Sequence, residues 1–465
     1  MTSSAPPPAN TPATEDRTGT LATRGEQQWP EIRLGGFFQL DHVNYSQDLA
    51  SRRTYGDMQD GTGFRRVRLQ AYGSLAEFTN YNIILDFAVA GRPSFLDVWG
   101  EQENLGRLGT VRIGQFRQPT SMEGQTSIRH LEFLERSAAF QAMDPFRRVG
   151  IEAYNTSEDR NTSWAASVYV TGFTFLAPIA TGNVQQYGTL GDTRYGTFIG
   201  DNGGYSTACR ATHLLWYDEP ANGRYLMHLG AGYNYSRTGG NGGPPGPING
   251  QFYIGRTIPG VFVGDPLTPG ITANGTPFVA NTGNIPAKDF HYFHVEWAGQ
   301  YGAAHFQTEW LGTVLNTMTA GTIFLNGAYA QAGYFLTGEN VGYNRQFGVM
   351  DYQVKPFTEF FGLDKGICGW GAWEIAARYD FLNLPNAGFT PPPAAAVLAG
   401  TINAGTSGAN PNPGTLNMAS FALNWWWNVN TRVQFNYINV WQASDFAIYG
   451  KSYTAIFASR FQIEF

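Results

Sequence analysis

Tyr453-Thr-Ala-Ile-Phe-Ala-Ser-Arg-Phe-Gln-Ile-Glu-Phe465 places Tyr453, Ala455, Phe457, Phe461, Ile463 and Phe465 on one side of a strand and Thr454, Arg460, Gln462 and Glu464 on the other. Successive side chains of a strand point to opposite faces, so one face here is apolar and the other polar. A soluble antiparallel sheet can show the same alternation. An apolar face that runs to an aromatic residue at its rim fits better a strand standing between lipid and water.

Composition agrees. Only 14% of the 465 residues are charged, while 42% are hydrophobic and 15% aromatic. Soluble domains average about 25% charged residues, and the shortfall matches a protein whose outer wall faces hydrocarbon. No apolar run approaches the roughly 20 residues of a membrane helix, so a crossing must be made by strands closed into a barrel. The net charge of -6 excludes a broad basic surface for nucleic acid. The partners expected of such a wall are membrane lipid and small anions or other hydrophilic solutes, and the terminal strand closing with Phe465 resembles those of bacterial outer-membrane barrels, which implies the bacterial outer membrane as the compartment. Residues 1–29 consist of Pro, Ala, Thr, Ser and charge without a leader's apolar core. They predict an exported chain that begins with a flexible periplasmic tail, with the barrel over 30–465.

Alternation recurs along that barrel segment. In Tyr81-Asn-Ile-Ile-Leu-Asp-Phe-Ala-Val-Ala90 the outward set is Tyr81, Ile83, Leu85, Phe87 and Val89, with Asn82 and Asp86 inward. In 224–236 Tyr225, Met227, Leu229, Ala231, Tyr233 and Tyr235 point outward, and His228, two glycines, Asn234 and Ser236 point inward, which argues against a dry core. Strands are predicted to begin near Glu31, Thr62, Asn80, Ser94, Arg107, Arg148, Thr162, Arg210, Arg224, Asp289, Ala303, Thr322, Gly371, Gly414, Thr431 and Ser452. The fold class is therefore all-β, a transmembrane antiparallel β-barrel of about 16 strands, wide enough for an aqueous channel. Connections sort into short periplasmic turns and long external loops, among them 116–147, 172–209, 237–288 and 382–413. The exception is 337–369, long but periplasmic by parity.

Other chemistry finds little support. No His or Cys pair stands at zinc-site spacing, so neither a metal nor a cofactor is expected. His291 shares the outward face with Phe293, Val295 and Trp297, and without a nucleophile beside it a place in an interfacial girdle is the better reading. Cys209 and Cys368 fall at opposite ends of the barrel by strand parity and should not pair.

Several segments resemble the phosphate-selective porin O and P family, in family order: Phe64-Arg-Arg-Val-Arg-Leu69, Gly114-Gln-Phe116, Ser121-Met-Glu-Gly-Gln-Thr-Ser-Ile-Arg129 followed by Glu135-Arg-Ser137, Tyr329-Ala-Gln-Ala-Gly-Tyr-Phe-Leu-Thr-Gly-Glu339, Gly371-Ala-Trp-Glu-Ile-Ala-Ala-Arg-Tyr-Asp380 and Asn424-Trp425. A terminal strand ending in Phe is similar to that of bacterial outer-membrane barrels. The resemblance implies a trimer of sixteen-stranded barrels, an inward-folded third external loop and passive passage of anions. Two departures stand out. The family's selective members carry a ladder of arginines after the ninth strand, where this chain has a Gly/Pro-rich stretch with only Arg256 near the expected place. They also carry a lysine after the loop glutamate, where this chain has Gly124.

Candidate pore-lining residues follow from phase and from the long 116–147 loop: Arg66, Arg68, Arg112, Arg378 and Arg460 on the wall, Arg117, Arg129, Arg136 and Arg147 in or beside the loop, and Arg256. Guanidinium groups stay charged and offer fork-shaped donor sets to oxyanions. The same arginines can instead pair with Asp86, Asp97, Glu101, Glu374 and Asp380, also inward by phase, and pin the loop. The leading expectation is a passive diffusion channel with weak anion preference. The alternatives are a dedicated phosphate or polyphosphate channel, a lipid-acting outer-membrane enzyme, and a structural wall protein.

Overall fold

Strands with one apolar and one polar face satisfy their backbone only by pairing, and in a membrane the sheet must close to leave no edge. The structure, a computed structural model, describes residues 29–88, 94–171, 204–238, 252–263, 276–283, 285–360, 369–386, 412–446 and 450–465. Most of the expected tail, the greater part of the external loops after the seventh, ninth and thirteenth strands, and Cys368 lie outside these residues.

The barrel strands are β1 (Arg33–Gln47), β2 (Gly61–Ala76), β3 (Thr79–Asp86), β4 (Ser94–Gln102), β5 (Thr110–Arg117), β6 (Arg147–Thr156), β7 (Thr162–Val170), β8 (Tyr205–Tyr217), β9 (Tyr225–Arg237), β10 (Ile285–Tyr301), β11 (Ala304–Thr317), β12 (Thr322–Phe335), β13 (Ala372–Leu384), β14 (Gly414–Asn428), β15 (Thr431–Ser444) and β16 (Lys451–Glu464). Each pairs antiparallel with the next, and β16 returns to β1 from Phe37↔Glu464 to Gln47↔Thr454, which closes a 16-stranded barrel. An even strand number is what lets the last strand meet the first antiparallel.

Most strands start within about three residues of the positions read from alternation, inside the usual boundary error. The larger misses are β8, which begins at Tyr205 rather than near Arg210, and β10, which begins at Ile285 rather than near Asp289. In Tyr205-Ser-Thr-Ala-Cys209 small residues give little contrast between faces, so periodicity alone cannot show the strand there.

Burial follows the expected phase. Arg66, Arg68, Asn82, Asp86, Arg112, His228, Asn234 and Arg460 are buried, while Leu69, Ile83, Phe87, Ile113, Leu229, Tyr233 and Phe457 are exposed on the outer wall. Trp425 stacks on Trp373 with centroids 4.7 Å apart, and Trp427 lies near Phe461 at 5.8 Å. Trp426, between them, is buried on the inner side. Cys209 is free and exposed on β8. Phe421, midway along β14 and 54% exposed, faces lipid. Phe421→Arg should therefore cost roughly 2 to 4 kcal/mol of folding free energy into bilayers. Urea titration in lipid vesicles checks this, and an unchanged midpoint would contradict the orientation.

Inward residues such as His228 and Asn234 argue against a dry core, but parts of the inner side are apolar and packed. Val43, Leu311, Leu315, Leu325, Leu382, Leu416, Met418, Ile438, Val440 and Ile456 form one buried apolar cluster with Tyr253, Val261 and Val279 of the segment between β9 and β10. A second cluster joins Met122, Leu226, Phe335 and Trp426 to Val341, Val349, Met350 and Tyr352 from the long connection between β12 and β13. Segments that pack inside a barrel need apolar wall positions to pack on, and these were invisible while the segments were read as loops.

Candidate channel lining and selectivity site

The arginine cluster begins with a backbone irregularity. The β1–β2 register runs Gln39↔Arg66 and then Leu40↔Phe64, so Arg65 is the extra residue of a β-bulge. Strict alternation would send Arg65 to lipid at a cost of roughly 2 to 4 kcal/mol. The bulge brings Arg65 and Arg66 to the inside together, both buried. They converge on Glu135: Arg65 Nε donates to Oε1 at 2.7 Å, Arg66 Nη2 to Oε2 at 3.0 Å, and Arg460 Nη2 reaches Oε1 at 3.3 Å. Burial alone would raise the Glu135 carboxyl, but Arg65, Arg66 and Arg460 outweigh it and hold it well below the ordinary carboxylate range.

The remaining candidates are also engaged. Arg68 pairs with Asp86 at 2.8 Å, Arg112 with Glu101 at 2.8 Å, Arg147 with Asp97 at 2.8 Å, Arg378 with Asp380 at 2.9 Å and Arg460 with Asp41 at 2.7 Å. Arg117 donates to the carbonyls of Gln125 and Thr126 at 2.7 and 2.9 Å, and Arg136 to those of Glu123 and Thr126, both at 3.0 Å. Arg129 lies 3.6 Å from Glu464. The guanidinium of Arg256 sits 4.3 Å over the Phe278 ring. Among the described residues no lysine is buried.

The segment between β5 and β6 carries α1 (Met122–Gln125) and α2 (Ala138–Met143), each capped by a serine, Ser121 and Ser137. Its irregular backbone is satisfied by wall side chains, as a buried loop requires. Glu309 accepts the Met122 and Glu123 N–H groups at 3.0 and 2.8 Å, and Asp380 accepts the Ala138 N–H at 2.9 Å. Arg432 donates to the carbonyls of Leu131 and Arg129, Gln434 and Asn424 to that of Glu132, and Arg460 to that of Leu134. The acceptors thus come from β11 and β13 and the donors from β14 to β16, on the side of the barrel away from β5 and β6.

The family model for phosphate-selective porin O and P matches residues 32–465. The chain belongs to this family. It is a bacterial outer-membrane porin, and porins are channels rather than enzymes. An uncharacterized protein of Caulobacter vibrioides is 25% identical over 338 residues, 70% of the porin and 57% of that relative, so the porin spans under two thirds of the relative's length. Among solved structures the porin is similar to the channel DcaP of Acinetobacter baumannii (11% identity, 94% and 97% of the two chains, TM-score 0.48) and to Pseudomonas putida OprB (10%, 94% and 94%, 0.48). It is also similar to an anion-selective porin of Comamonas acidovorans (11%, 94% and 99%, 0.46).

Reading the sequence missed Arg65, whose clue was a charge on the lipid phase beside two inward arginines. The Arg210–Glu296 pair at 2.6 Å also escapes alternation, which places only a strand start near Arg210. His291 lies as expected on the outer wall, bonded to Tyr233 Oη at 2.6 Å.

Proposed function

We propose that the porin is a passive diffusion channel for small hydrophilic solutes with weak anion preference, narrowed by the 116–147 segment and assembled as a homotrimer as in its family. The carrying observation is that Arg66, Arg68, Arg112, Arg147, Arg378 and Arg460 each lie in hydrogen-bond range of a buried carboxylate. Ion pairing sets fixed cations against fixed anions, so the net field on a passing ion is small beyond a Debye length of about 8 to 10 Å. A phosphate-specific path needs oxyanion donors in succession, so that the ion loses water only when replacements are in reach. Arginines whose donors are turned to loop carbonyls and carboxylates do not supply that succession.

Planar-bilayer recordings in a potassium chloride gradient should give a reversal potential only modestly on the anion side. Low-millimolar phosphate should leave the chloride current without saturable block. Strong block, lost in Arg129→Ala or Arg256→Ala, would overturn the reading in favour of a dedicated phosphate channel.

A further inference from the structure

Three side chains from distant parts of the sequence meet inside the barrel: Glu132 from the segment between β5 and β6, His305 near the start of β11 and Glu374 near the start of β13. All three are wholly buried, with side-chain exposures of 0%. His305 Nε2 lies 3.2 Å from Glu132 Oε1 and 3.1 Å from Glu374 Oε1, and the donor atoms of all three fall within 4.8 Å of one another. One imidazole N–H shared between two carboxylates serves neither fully. Glu132 takes that hydrogen bond, and Glu374 Oε1 is left buried with no hydrogen-bond partner. An orphaned buried carboxylate oxygen is costly unless something else meets it.

The distances are those of a ligand shell. With metal–ligand bonds of about 2.1 Å, neighbouring donors stand about 3.0 Å apart in an octahedron and about 3.4 Å apart in a tetrahedron. The outer oxygens are tied back: Gln331 Nε2 donates to Glu132 Oε2 at 2.7 Å, and Asn424 Nδ2 to Glu374 Oε2 at 2.7 Å. Each carboxylate therefore turns one oxygen to the shared centre, as outer partners of a metal site arrange. The β12 strand leaves the space for this, because a Cβ added at Gly333 would collide with both Glu132 Oε1 and His305 Nε2. A small cavity bordered by Glu132, Gln307, Gln331, Tyr352 and Arg378 adjoins the group. Arg378, the nearby cation, is paired with Asp380. The neighbouring group of His294, Glu296 and Glu309 differs, since Arg210 already holds Glu296 and both Glu309 oxygens accept backbone N–H groups.

We infer that Glu132, His305 and Glu374 bind one divalent transition-metal ion, which fastens the segment between β5 and β6 to the wall. One imidazole with two carboxylates suits zinc or manganese, whereas calcium and magnesium favour all-oxygen shells. The site lay beyond sequence reading because its ligands are far apart in the chain, and zinc-site spacing detects only local pairs.

The test uses the untagged full chain, folded in detergent, stripped with chelator and titrated with Zn²⁺ by calorimetry, with metal content counted by mass spectrometry. One zinc per chain is expected, together with a higher unfolding temperature than in the chelated protein. Glu374→Gln and His305→Gln should weaken binding by about 100-fold or more, against the 10- to 100-fold typical of outer-shell changes. His291→Gln, on the outer wall, should leave it unchanged. Heat-modifiable gel mobility verifies that each variant is folded. The absence of stoichiometric zinc in the unaltered chain would overturn the inference without any variant, and equal affinity in folded Glu374→Gln and His305→Gln would do the same.

Discussion

Glu135→Gln should shift the reversal potential strongly toward the anion side and lower stability by about 3 to 5 kcal/mol, the usual cost of removing one partner from a buried ion pair. Glu135 is the carboxylate on which Arg65, Arg66 and Arg460 converge. The amide keeps the volume and one acceptor oxygen but removes the charge. Arg460 retains Asp41 at 2.7 Å, and Arg66 retains the Gln39 amide oxygen at 2.8 Å. Arg65, whose guanidinium lies 4.3 Å over Phe262, loses its carboxylate and becomes the strongest new attraction for an anion. Because the Glu135 carboxyl is held far below the ordinary range, lowering the pH moderately should not mimic the substitution. Reversal potentials in a salt gradient and urea midpoints measure the two effects. A folded variant with an unchanged reversal potential would place this cluster away from the ion path, and the proposed selectivity with it.

Wall phase was legible because lipid on one side and polar groups on the other impose a period of two on every spanning strand. Arg66, Arg68, Arg112 and Arg460 could be assigned inward from their apolar neighbours alone. What each arginine touches was not legible, because partners lie far apart in the sequence: Asp41 on β1 meets Arg460 on the adjoining β16, and Glu135 meets Arg65 through a bulge that alternation cannot show. The apolar wall positions Leu416 and Met418 make sense only once segments outside the strands are seen to pack on them. Pattern therefore gave the architecture, and pairing had to come from coordinates. The balance between attracting an anion and pairing with a carboxylate was open in the sequence; Arg66 lies 3.0 Å from Glu135 of the loop, while Arg68 and Arg460 lie 2.8 and 2.7 Å from the wall residues Asp86 and Asp41.

Raising the pH toward about 9 should loosen the segment between β5 and β6 and increase conductance, through His130. This residue ends the short 3₁₀ turn Ile128–His130, and its Nδ1 pairs with Asp351 of the connection between β12 and β13. Its Nε2 lies 3.9 Å from Glu464, which Arg129 also approaches at 3.6 Å. Burial alone would lower the imidazole pKa, but Asp351 and then Glu464 outweigh it and raise it from 6.5 to about 9. Asp351 moves in the matching direction, held below its ordinary value by His130 against its own burial. A histidine with a raised folded pKa contributes its full stabilisation below the unfolded value near 6.5 and loses it as the pH rises through about 9. The shift corresponds to roughly 3 kcal/mol across that window. The neutral ring then leaves Asp351 and Glu464 without the cation between them, at the point where the inner segment meets the connection between β12 and β13. Conductance and thermal unfolding measured across this range should both change in the unaltered porin. In His130→Gln they should be flat in pH and already resemble the alkaline state at neutral pH. An identical pH profile in the folded variant would rule out this latch as the group that titrates.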